Sequence, residues 1–130
     1  MRTRSLQETF DLYLALDRDD PLNKPLAPRE YLNGLRLLTT RAEIEANLND
    51  FAIDTPKLAH PQTLALFAAL IDEICDCLSL DAPDWTRHPG CVSPSPYPKV
   101  RDVGQHQRRN LFVYDLLSEH DQRRLQDKPA

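Results

Sequence analysis

The chain has 130 residues, 41% of them apolar and 28% charged, and a net charge of −4 at neutral pH. That length suits a single domain, 1–130, able to bury roughly two-thirds of its unfolded surface without disulfides or a metal. The acidic balance argues against a surface that binds nucleic acid throughout, and three glycines leave no phosphate-cradling loop and no dinucleotide fingerprint.

Eleven prolines, few glycines and many leucines point to helices joined by proline-marked turns. At the N-terminus, basic residues precede apolar ones as in a signal peptide. Glu8, Asp11 and Asp17 interrupt the apolar stretch, so it is not read as one. Ser5-Leu-Gln-Glu8 is a capping-box pattern that opens a helix. Leu6, Phe10, Tyr13 and Leu14 share its apolar face, widened by Leu12 and Leu16. Pro21 ends it near Asp19.

"DDPLNKPLAP" reads as a loop, with Pro28 at the first position of a second helix. Tyr31, Leu32, Leu35 and Leu38 form that helix's stripe. Thr40-Arg-Ala-Glu43 is another capping-box pattern and opens a third helix carrying Ile44, Leu48 and Phe51. Pro61 marks the start of the most hydrophobic segment, with Leu64, Phe67, Leu70, Ile71, Ile74, Cys75 and Leu78 at helical spacing. This is the expected central helix. Its longest near-apolar stretch, Leu64 to Ile71, is too short to span a bilayer.

Residues 81–100 hold five prolines between 83 and 98, a density that defeats helices and interior strands. They read as a long irregular arm packed onto the helices by Trp85 and Tyr97, and such loops are often functional. Leu111-Phe-Val-Tyr114 fits either a short strand or the start of a helix. Ser118-Glu-His-Asp121 caps a last short, exposed helix ending near Gln126, before a frayed tail at 127–130. The expected fold is therefore mainly α: four or five helices, with a helical part at 5–80, the arm at 81–100 and a C-terminal segment at 101–126.

An odd set of cysteines (Cys75, Cys77, Cys91) without disulfide spacing suits a reducing cytoplasm. Cys75 and Cys77 stand about 200° apart around a helix and cannot share one ion. Cys75 reads as core and Cys77 as partly exposed. His88 and Cys91 are close in sequence, but two ligands do not make a structural zinc site, so neither metal nor cofactor is expected.

Arg101-x4-His106 looks like the motif of the small all-helical HEPN ribonucleases. That resemblance implies that Arg101 stabilises phosphate charge and His106 shuttles a proton, chemistry an imidazole suits near neutrality. Gly104 and the nearby Pro98 are departures, since the family carries the motif within a helix. A helix-turn-helix built from 28–39 and 40–52 is the next reading. Its second helix would bring Glu43, Glu45 and Asp50 to DNA against Arg41, and phosphates repel such a helix.

About residues 60–118 resemble a poorly characterised C-terminal region of bacterial helix-turn-helix regulators and putative antitoxins, encoded beside nucleotidyltransferase-like proteins. The resemblance rests on the apolar helix Leu64–Leu80, on Pro83-Asp-Trp85, on Arg108-Arg109-Asn110-Leu111-Phe112-Val113, and on Leu116-Leu117. Gln105, His106 and Gln107 stand where that region usually shows an aromatic before the arginines. Leu111, Phe112 and Val113 are apolar enough to be core, which leaves Arg108 and Arg109 at a rim, suited to carboxylates of this chain or a partner, or to phosphate. Trp85 reads first as a core plug and second as a contact. The resemblance implies a non-enzymatic protein-interaction module, an antitoxin-like companion that masks a partner enzyme. The expected contact residues are Trp85, Tyr97, Arg101, Arg108 and Arg109. The HEPN-like ribonuclease and the DNA-binding regulator are the alternatives.

Overall fold

A computed structural model describes residues 3–91 and 119–129. These residues are mainly helical, with no strand among them. The helices are α1 (Leu6–Asp19), α2 (Leu26–Leu35), α3 (Arg41–Asn49), the single-turn α4 (Thr55–Leu58), α5 (Pro61–Leu78) and α6 (Glu119–Gln126). The chain divides into two compact units, Met1–Phe51 with Asp127–Ala130, and Ala52–Gln126. None of the described helices is long and apolar enough to cross a membrane.

In the first unit, both arms of the predicted capping box at α1 are made. The Ser5 hydroxyl accepts from the Glu8 amide at 3.0 Å, and the Ser5 amide donates to Glu8 Oε1 at 3.2 Å. Such caps satisfy amides the helix cannot reach itself. Only half of the box expected at α3 forms in the same way, with Thr40 Oγ1 accepting from the Glu43 amide. Leu6 and Phe10 of α1, Tyr31, Leu32 and Leu35 of α2, and Ile44 and Leu48 of α3 are buried. Phe51 closes this core, its ring tilted 54° against that of Phe10 with centroids 5.8 Å apart. The buried Tyr31 keeps its hydroxyl satisfied by donating to Asn47 Oδ1 at 2.6 Å, as a buried phenol requires.

Two local departures from the sequence reading have simple causes. The second helix begins at Leu26, not at Pro28. Pro28 is accommodated because a first-turn residue has no intrahelical acceptor for its amide in any case. Residues 127–129 are not frayed. Pro129 O accepts from the Arg41 amide at 2.7 Å, Lys128 O accepts from Arg41 Nε at 3.1 Å, and Lys128 Nζ donates to Arg36 O. The tail thus satisfies an amide and a guanidinium at the start of α3.

The second unit is organised on α5. Every residue from Leu64 to Asp72 is buried, and Ile74, Cys75 and Leu78 extend that burial to the helix end. The helix stops because Ser79 enters the left-handed region (φ 57°, ψ 39°) and the Leu80 amide turns back to Cys75 O at 2.8 Å. The exposed surface of α6 is pinned by Asp121 and Leu125, which are buried. Cys77 Sγ donates to Gln122 O at 3.3 Å, and Gln126 Nε2 donates to Cys77 O at 3.2 Å. Ahead of α5, Asp54 caps α4 through the Lys57 amide and pairs with Lys57 Nζ at 2.9 Å. That short helix has no apolar period, and the sequence reading did not anticipate it.

Candidate interaction surface

Of the residues the sequence singles out as contacts, Trp85 lies in the described part. Two 3-10 turns, Asp84–Arg87 and Pro89–Cys91, replace the irregular start expected of the arm. Proline at the head of a turn is compatible with helical φ, so proline density excludes long helices and not single turns. Trp85 is 9% exposed, its ring largely inside the second unit. Around it, Thr86 Oγ1 donates to Pro83 O at 2.8 Å and Cys91 Sγ donates to Trp85 O at 3.3 Å. Tyr97, Arg101, His106, Arg108 and Arg109 lie outside the described residues, as does the 111–114 segment read as a strand or helix start.

The cysteines and His88 are engaged in structure. Cys75 is buried, as its place on the helix predicts, and Cys77 is half-buried. Burial pushes the Cys91 thiol up to about 11, with the Asp72 carboxylate adding to the shift. At neutral pH it is a protonated thiol and a poor nucleophile. His88 Nδ1 accepts from the Gly90 amide at 2.9 Å. Among the described residues no group of three or more His, Cys, Asp or Glu is placed to hold a metal ion.

What the first unit offers instead is apolar surface. Beyond Phe10, α1 buries nothing fully: Leu12, Tyr13, Leu14, Ala15 and Leu16 are all only half-buried. The chain then does not form an open loop. Asn23 N donates to Asp20 O at 2.9 Å, Lys24 N to Pro21 O, Ala27 N to Lys24 O, and Arg29 N to Pro25 O. These bonds wind residues 21–29 in helical fashion straight into α2. Positions i, i+3, i+4 and i+7 of such a winding fall on one side. Here those positions are Leu22, Pro25, Leu26 and Arg29, and all four are exposed. Leu22 is 92% exposed and Leu26 50%, values that mark side chains presented to water.

The sequence reading missed this face by treating "DDPLNKPLAP" as a loop. The available signal was the four-residue spacing of Leu22 and Leu26, hidden because prolines at 21 and 25 count against a helix in most positions. The rim is charged. Lys24 Nζ pairs with Asp17 Oδ1 at 2.9 Å and stands 5.8 Å from the Tyr13 ring centroid. Arg18 grips Asp19 through two bonds of 3.1 Å, and this guanidinium holds the Asp19 carboxyl below the usual carboxylate range. Asp20 accepts from Asn23 Nδ2 at 2.6 Å.

No protein family, curated protein or solved structure matches the chain.

Proposed function

We propose that this protein is a non-enzymatic interaction module, an antitoxin-like companion that binds and masks a partner enzyme of the nucleotidyltransferase-like kind in the cytoplasm. The observation that carries the reading is the apolar face left in water just ahead of and into α2, where Leu22 is 92% exposed. Scattered surface leucines are ordinary, but a helically spaced set beside a half-buried apolar run is the pattern of a protein contact. Within this reading Tyr97, Arg101, Arg108 and Arg109 contribute contacts from the arm and the C-terminal segment. Trp85 acts from inside, as the plug from which the arm departs.

The test is recovery of the tagged full-length chain from its native host with and without RNase, read by mass spectrometry. One stoichiometric protein that survives RNase, and whose enzymatic activity falls when the chain is added back, is the expected result. Charge reversal at Arg108 and Arg109 should weaken that complex. Recovery of RNA without a protein, with cleavage abolished by His106→Ala, would replace this reading with the HEPN-like ribonuclease.

A further inference from the structure

We draw no further inference here: the strongest candidate, the exposed apolar patch of Leu22, Pro25 and Leu26 on the winding that leads into α2, carries nothing, because Asp17, Asp19 and Asp20 are balanced by Arg18, Lys24 and Arg29 along the same stretch and nothing in the structure shows what covers it.

Discussion

α1 and α5 are both leucine-rich helices, yet they are used in opposite ways. From Leu64 onward α5 buries nine consecutive residues, because the segments of its unit surround it on more than one side. α1 buries Leu6, Thr9 and Phe10 and then presents Leu12 through Leu16 half in water. A helix apolar all round belongs in a core, whereas one whose apolar residues stay partly wet at one end lies at the edge of its unit. The difference separates residues that hold the fold from residues that stay in contact with water.

The comparison breaks most readily at Phe67, which is fully buried on α5. Phe67→Ala should destabilise the second unit by about 3–5 kcal/mol, the range for deleting a core aromatic. Trp85 is the chain's single tryptophan and lies in the same unit, so urea unfolding followed by its fluorescence reads that unit directly. A loss near zero would mean that α5 is not the core.

Within α1 the same contrast can be sharpened in one helix. Phe10→Ala removes a buried ring packed on Phe51 and should cost about 3 kcal/mol or more. Leu16→Ala, at a half-buried position, should cost about 1 kcal/mol, since only part of its transfer energy is realised. Denaturation followed by the helical circular-dichroism signal would measure both, and equal losses would erase the gradient from core to surface along α1.

The end of α5 gives a change of opposite sign. Ser79 occupies the left-handed region at φ 57°, where a Cβ is crowded and glycine is not. Ser79→Gly should stabilise the second unit by about 1 kcal/mol and raise its melting temperature. A loss of stability would show that the serine side chain contributes more than the backbone conformation costs.

Much of this arrangement could be read from the sequence. The caps at Ser5 and Thr40, the stop after Asp19, the start at Pro61 and the buried set on α5 all follow from short-range rules: a hydroxyl before a helix, a proline at its head, leucines every three or four residues. Three features escaped those rules. α4 is too short to show a period. The tail's bonds to Arg36 and Arg41 join positions far apart in the chain, and only the assembled unit brings them together. The Leu22–Leu26 face lies in a stretch whose prolines read as loop, because proline tells where a helix cannot continue and is silent on single turns. Burial of Trp85 follows the preference of a large ring for the interior, while the remaining expected contacts, Tyr97, Arg101, Arg108 and Arg109, lie outside the described residues.

Cys91 supplies a pH test of how tightly the second unit closes. Its thiol keeps its proton to about 11, against 9.0 for an ordinary thiol. Between those values the unfolded chain gives up the proton first, so unfolding is favoured as pH rises. The thiol's contribution is therefore whole below about 9 and is lost as pH climbs from 9 to 11. Cys91→Ala should flatten that part of the alkaline decline in stability. Iodoacetamide at mildly alkaline pH should reach Cys77 first in the native protein, and Cys75 and Cys91 only on unfolding, as mass spectrometry would show.

The smallest expected effect on stability is at Leu22, and it is the one that bears most on function. Its side chain is 92% exposed, so Leu22→Glu removes little buried area and introduces a charge where water already is. Stability should change by no more than about 0.5 kcal/mol, as for surface positions generally. Helix-dipole effects do not add to this, because residue 22 sits in a 3-10 turn and not at the end of a long helix. If the same substitution abolishes partner binding, the apolar side chain at this position serves contact and not folding. A stability loss of several kcal/mol would instead place Leu22 inside the folded core and remove the exposed face before α2. Chemical denaturation of the variant beside a binding titration separates these outcomes in one preparation.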